Sequence, residues 1–149
     1  MNFITPTIDI IVDKLETLNS EMQPLWGSMT VLRMVEHLSD AVELSIGGHD
    51  FQLELPEDKI ERAQQFLGSE HPMPKNFNVK FATPEMTTRN SNLADAIEEF
   101  KTKWASFTQH YEDNVSSTGL HPNFGKLNHQ QWLRLHSKHI THHLEQFGA

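Results

Sequence analysis

Four segments of the chain place apolar residues at the three- and four-residue spacing of amphipathic helices. The pattern predicts helices over residues 7–22, 31–46, 93–112 and 129–147. The third segment is the clearest, with an apolar stripe at Leu93, Ile97, Phe100, Trp104, Phe107 and Tyr111. This stripe predicts a helix that packs its aromatic face into a core.

Residues typical of helix starts precede three of these segments. Thr30 suits the N-cap of the second helix, and Asn92 or Ser91 suits that of the third. Asn128, followed three positions later by Gln131, resembles a capping box before the fourth helix. The second helix should turn its charged residues outward, at Arg33, Glu36, Asp40 and Glu43.

A long connection, residues 47–91, separates the second and third helices. It predicts a short helix over residues 57–67, between Pro56 and Gly68, and one extended piece at residues 77–81. A connection of this length permits a crossover between bundle helices. The expected fold is therefore all-α, a single domain over residues 1–149 built as a four-helix bundle with one long crossover.

Composition narrows the class of protein. With 37% hydrophobic and 21% charged residues, the chain is typical of a soluble globular domain. The net charge of −8 and scattered basic residues argue against nucleic acid or an anionic membrane as partner. The chain has no cysteine, which excludes disulfides and a cysteine nucleophile. Without a signal-peptide pattern or a long apolar stretch, we expect a cytoplasmic protein.

Histidines concentrate near the carboxyl end, in "LHSKHITHHLEQFGA". A purification tag would be an uninterrupted run, whereas apolar residues here keep helical spacing through the cluster. At 100° per residue, His139 lies about 60° and His143 about 20° from His136. These three rings share the core-facing side of the helix, and His142 lies at its margin.

Buried imidazoles need partners, because each unpaired polar ring costs about 1–3 kcal/mol. One metal ion could satisfy several, and His139 and His143, four positions apart, could reach a common ion. A third ligand would have to come from another helix. His37 borders the core face of the second helix, whereas His110 lies off the stripe of the third. A metal-free core in which the histidines make ordinary hydrogen bonds is the alternative.

The segment "HITHHLEQ" has the pattern H-x-x-H-H-x-x-Q. Far upstream, "WGSMTVLRMVEHL" joins a tryptophan to a capped helix with a histidine in its second turn. Together they resemble the DinB/YfiT-like metal-binding four-helix bundles. The stretch "HPNFGKLNHQQWLRLHSKHITHHLEQFG" is most similar to a subgroup described only as a domain of unknown function.

The resemblance implies a bundle that is often dimeric and a divalent metal, commonly zinc or nickel. By motif position the ligands are His37, His139 and His143. Gln146 matches the motif glutamine, and His142 matches a histidine that is not a ligand. Better-understood relatives are thiol-dependent transferases and isomerases, and others are suspected hydrolases.

Three neutral ligands leave a position open, which is typical of catalytic metal sites. Because the chain lacks cysteine, any thiol would be a low-molecular-weight cosubstrate. No glutamate stands where the HExxH motif has its base, and Glu36 should point outward, so His136 and His121 are the acid–base candidates. The alternative for His121 is a structural role, as a turn residue that hydrogen-bonds to the backbone. The expected function is a metal-dependent transferase or hydrolase of a small molecule. A non-catalytic, metal-stabilised bundle is the alternative.

Overall fold

The computed structural model describes residues 2–47, 51–75 and 87–149. In this part of the chain the α-helices are α1 (Ile8–Leu15), α2 (Val31–Leu44), α3 (Ile60–Gly68), α4 (Leu93–Asp113) and α5 (His129–Gln146). A 3-10 helix, Glu57–Lys59, leads into α3. Two short strands, β1 (Gly119–His121) and β2 (Gly125–Leu127), pair in an antiparallel hairpin. The described protein is thus mostly helical with one small sheet.

The predicted caps are present at three helix starts. The Thr30 hydroxyl accepts the backbone N–H three residues into α2, at 3.1 Å. The Asn92 side chain accepts the corresponding N–H of α4, at 2.8 Å. Asn128 and Gln131 form a reciprocal capping box at the start of α5. These bonds satisfy N–H groups that have no partner within the helix.

The first helix is shorter than its apolar pattern predicts, since α1 ends at Leu15 and not near residue 22. The N–H groups of Thr17 and Leu18 bond to carbonyls only three residues back, at 3.1 and 3.2 Å. Bonds of this span tighten the backbone out of α-helical geometry. Leu18 still enters the core from this turn, which explains why its spacing resembled a continuing helix.

Helix α2 packs most extensively along α4, α1 also packs on α4, and α5 contacts both α2 and α3. The aromatic stripe of α4 is buried, as its spacing predicted, with Phe100 and Phe107 fully enclosed. Among the described residues, no helix is both long and apolar enough to cross a membrane.

The loop before α5, which contains Pro122, is the tip of the hairpin. His121 pairs with Gly125 across a three-residue connection, and Gly125 has a φ of 77°. Such loops require a left-handed residue, and glycine takes that conformation without steric cost. The carbonyl of Pro122 accepts the N–H of Glu54 at 2.9 Å, which fastens the hairpin to the segment before α3.

The prediction that α2 turns Arg33 and Glu36 to solvent is wrong, because both side chains are buried. The Glu36 carboxylate accepts the backbone N–H groups of Arg89 and Asn90, at 2.9 and 2.7 Å. It also accepts the side-chain amide of Asn90 at 2.8 Å. The end of the long connection therefore covers this face of α2, which helical periodicity could not reveal.

Lys138 of α5 is a further buried charged residue, with no exposed surface. Its ammonium donates to the carbonyls of Phe66 and His71, at 2.6 and 2.9 Å, and lies 4.4 Å from the Phe66 ring centre. Burial lowers the pKa of Lys138 to about 8. These bonds satisfy carbonyls at the end of α3 and hold that end against α5.

The predicted short helix within the connection is confirmed as the 3-10 turn and α3. The extended piece predicted at residues 77–81 lies outside the described residues.

We expect Glu36→Gln to lower the free energy of unfolding by about 1–3 kcal/mol, because an amide NH₂ would face buried N–H groups. Urea unfolding followed by circular dichroism measures this change. The matched control is Glu98→Gln, at a side chain that is 70% exposed and forms an ion pair with Lys101. Its loss should be much smaller, since solvent screens that pair. Equal losses in the two variants would contradict the structural importance of Glu36.

Candidate metal centre

Three histidines from two distant helices meet in the core. His37 lies in the second turn of the capped helix α2, and His139 and His143 lie one turn apart on α5. The Nε2 atoms of His37 and His139 are 2.8 Å apart, and those of His143 and His139 are 3.0 Å apart. The structure thus brings together the three residues that the sequence nominated as ligands, across 102 positions of chain.

The spacing of these nitrogens suits a shared ion. Two nitrogens each bound at 2.0–2.1 Å lie about 2.9 Å apart at a right angle and about 3.3 Å apart at a tetrahedral angle. The two observed Nε2–Nε2 separations are close to the first value and below the second. In the described part of the chain, no fourth histidine or carboxylate joins the cluster. The three histidines could therefore hold a metal and leave further positions open.

All three imidazoles are held in the neutral form. Burial lowers the pKa of His143 to about 4. Burial lowers the pKa values of His37 and His139 well below the usual range, and the neighbouring histidines lower them further. The Arg33 guanidinium adds to the effect at His37. A neutral imidazole offers the lone pair that a metal needs, so no proton has to be displaced on binding.

The cluster is buried unevenly. His37 and His143 are each 7% exposed, whereas His139 is half-buried. The Nδ1 atom of His37 has no hydrogen-bond partner among the described residues. The Nδ1 atom of His143 lies 2.7 Å from the Gln146 side-chain oxygen, and the Gln146 amide donates to the Trp26 carbonyl at 3.0 Å. Of the three residues, His139 is thus the most exposed.

His136, predicted to share the ligand face, is enclosed by aromatic rings. Its ring stacks on Trp132 with centroids 5.6 Å apart and contacts Phe107 at 5.1 Å. Burial lowers its pKa to about 3. Its Nε2 atom is buried without a hydrogen-bond partner in the residues that the structure describes. The location agrees with the helical geometry, and the acid–base role of His136 stays a prediction.

His121 lies at the end of β1 and is 7% exposed. Its Nδ1 atom accepts the backbone N–H of Asn123 at 3.0 Å, which is the turn bond that the sequence allowed for. Its ring contacts Trp132 at 5.8 Å, and burial lowers its pKa to about 4. The hairpin thus brings His121 against the same indole ring on which His136 stacks. Its catalytic role also stays a prediction.

His142 is half-buried and packs its ring against Trp26, with centroids 5.6 Å apart. Its Nδ1 and Nε2 atoms are not part of the convergent set. The link from His143 through Gln146 to the Trp26 carbonyl was missed by sequence reasoning. The three-residue spacing of His143 and Gln146 could have indicated the contact between them, because side chains three apart on a helix are neighbours. Nothing in the local sequence indicates that Gln146 bonds to the Trp26 carbonyl.

A family model described as "Protein of unknown function (DUF1569)" matches residues 5–149. Neither the curated proteins nor the solved structures provide a match.

We expect the metal-free protein to lose stability as the pH falls from about 7 to about 4. Unfolded histidines take up protons near pH 6.5, whereas folded His136 resists until about pH 3. Between these pH values the unfolded chain binds more protons than the folded protein. The histidine contribution to the free energy of unfolding is therefore fully present above about pH 6.5 and declines below it. Each such histidine contributes a slope of about 1.4 kcal/mol per pH unit.

His136→Phe should reduce the pH dependence of the free energy of unfolding by the contribution of one histidine. Phenylalanine fills the aromatic enclosure but does not titrate. Urea unfolding at a series of pH values measures both proteins. An unchanged slope in the variant would show that His136 does not carry this pH dependence.

Proposed function

The chain belongs to the DUF1569 family of proteins of unknown function, and we propose that it is a metal-dependent enzyme acting on a small molecule. In this proposal His37, His139 and His143 hold one divalent ion, zinc or nickel, and the reaction is a transfer or a hydrolysis. The observation that carries the proposal is the convergence of three Nε2 atoms from two helices. Imidazole suits both of these metals.

The charge state of the site supports metal binding. Desolvation keeps the three rings neutral, and neutral rings do not repel a cation. The buried rings otherwise have only one another, Gln146 and aromatic neighbours as partners among the described residues. A bound ion would give the converging Nε2 atoms a common partner.

The number of protein ligands favours catalysis over a purely structural metal. Structural zinc sites usually have four protein ligands, whereas catalytic sites have three and keep a position for water or substrate. His139 is the most exposed of the three residues, so we expect that position to open toward solvent on its side. When bound, a divalent ion supplies a Lewis acid that polarises a carbonyl or lowers the pKa of a water or thiol.

The protein's own residues would orient the ligands and exclude water from most of the site. The capped helix α2 presents His37, and α5 presents the other pair. His136 and His121 remain the proposed proton carriers, with pKa values lowered to about 3 and about 4. Such weak bases are neutral at pH 7, so they could accept a proton but would not hold it in the resting state.

We propose that α1, α2, α4 and α5 form a four-helix bundle of the DinB type, with the long connection as its crossover. The packing of α2 and α1 on α4, and of α5 on α2, supports this arrangement. A low-molecular-weight thiol is the proposed cosubstrate in the transfer reaction, because the chain has no cysteine.

Untagged protein should contain close to one divalent ion per chain when measured by inductively coupled plasma mass spectrometry. His37→Ala, His139→Ala and His143→Ala should each weaken binding beyond the roughly 10- to 100-fold that loss of an outer-shell partner costs. Competition with a chromophoric chelator measures the affinity. Full metal retention in all three variants would end the proposal.

The matched control is His142→Ala, at a histidine of the same helix whose nitrogens lie outside the cluster. It should retain the ion, and circular dichroism should show similar helicity in all four variants. A non-catalytic metal site would show a large fall in melting temperature with chelator and a coordination shell closed to added anions. Visible spectra of the cobalt-substituted protein with azide distinguish a closed shell from an open one.

A further inference from the structure

We infer that Gln146, anchored by the carbonyl of Trp26, fixes which nitrogen of His143 carries the proton and so aims the Nε2 lone pair at the metal position. Gln146 is thus a positioning residue for His143. The part of this inference that concerns metal affinity rests on the proposed function. The part that concerns the proton on His143 does not.

Gln146 ends α5 and is only 5% exposed. Its side-chain nitrogen lies 3.0 Å from the Trp26 carbonyl, and its side-chain oxygen lies 2.7 Å from Nδ1 of His143. Its backbone carbonyl also accepts the N–H of Leu25 at 2.7 Å. Two bonds from one residue therefore hold the loop before α2 against the end of α5, beside the site.

The orientation of the Gln146 amide follows from its partner. A backbone carbonyl only accepts, so the NH₂ group must face Trp26. The amide oxygen then faces His143, and because that oxygen also only accepts, Nδ1 of His143 must carry the hydrogen. A neutral imidazole has one N–H, which leaves a lone pair at Nε2. That atom is the one 3.0 Å from Nε2 of His139.

Gly27 makes the anchor sterically feasible. Its φ of 76° is left-handed, and a Cβ atom there would lie 3.1 Å from the Gln146 side-chain nitrogen. Glycine therefore suits this position for two reasons. It adopts the left-handed conformation of the turn that presents the Trp26 carbonyl, and its lack of a Cβ atom lets the Gln146 amide approach closely. A polar chain runs from this turn through Gln146 to His143.

A purely structural role for Gln146 is the competing interpretation, in which it only pins the loop. The two interpretations differ in what a glutamate should do. Glutamate still accepts from Nδ1 of His143 but cannot donate to the Trp26 carbonyl. Methionine has a similar length and does neither.

The first experiment reads the proton directly in metal-free protein. Long-range ¹H–¹⁵N correlation spectra of ¹⁵N-histidine-labelled protein distinguish the two neutral tautomers, and His143→Asn identifies the signal. We expect the Nδ1–H form at His143 in the wild type and in Gln146→Glu. Gln146→Met should shift His143 toward the Nε2–H form, which predominates in free histidine. A wild-type His143 in the Nε2–H form would overturn the inference.

The second experiment measures zinc affinity by chelator competition. Gln146→Met should bind zinc about 10- to 100-fold more weakly than wild type. Gln146→Glu should bind at least as tightly as wild type. Both variants lose the anchor to Trp26, and Gln146→Glu should lose more stability because its carboxylate would face that carbonyl. Equal weakening in the two variants would support the structural role and overturn the positioning role.

The matched control is Gln64→Met. Gln64 also donates its side-chain amide to a backbone carbonyl, that of Phe124, at 2.9 Å, and touches none of the three histidines. It should lower thermal stability and leave zinc affinity and the His143 tautomer unchanged. If the variant weakens zinc binding as Gln146→Met does, the effect is one of stability, and the positioning role is overturned.

The two failures remain distinguishable. Wild-type protein that binds no zinc but shows the Nδ1–H form at His143 would refute the proposed function and support the positioning of the proton. Wild-type protein that binds zinc with the Nε2–H form in its metal-free state would leave the metal site intact and refute the role of Gln146.

Discussion

The removal of water from three adjacent imidazoles is the constraint on which the rest of the site depends. Burial makes protonation of His37, His139 and His143 unfavourable, and each charge would also repel the next. The rings must therefore be neutral, and their nitrogens must find partners within the core. The three Nε2 atoms converge, and each neutral ring that carries its hydrogen on Nδ1 offers a lone pair there to a cation.

Buried charges elsewhere hold the elements that carry these rings. Glu36 directly precedes His37 on α2, and its carboxylate accepts the backbone N–H groups of Arg89 and Asn90. Lys138 precedes His139 on α5 and binds the end of α3. In each helix a buried charged residue, Glu36 or Lys138, hydrogen-bonds to the long connection, while the next residue, His37 or His139, belongs to the histidine cluster. Because neighbouring residues of each helix contact different partners, the helix is restrained from rotating about its own axis.

The aromatic residues that enclose His136 supply none of the three proposed metal ligands. His136 and His121 both pack against Trp132, and both are neutral at pH 7 because burial lowers their pKa values. A histidine in either position packs as an aromatic residue would, and its ring also has a nitrogen that can accept a proton.

Short-range patterns were sufficient to predict α2, α3, α4 and α5, the caps of α2, α4 and α5, and the pairing of His139 with His143, because all of these depend on residues within one or two turns. They did not predict where α1 ends. A motif whose two halves are far apart also nominated His37. Three features became apparent only with the distant segments in place: Arg33 and Glu36 are buried, residues 119–127 form a hairpin, and the Trp26 carbonyl holds Gln146. Those outcomes depend on which distant segment covers a face, and the period of a helix carries no information about its neighbours.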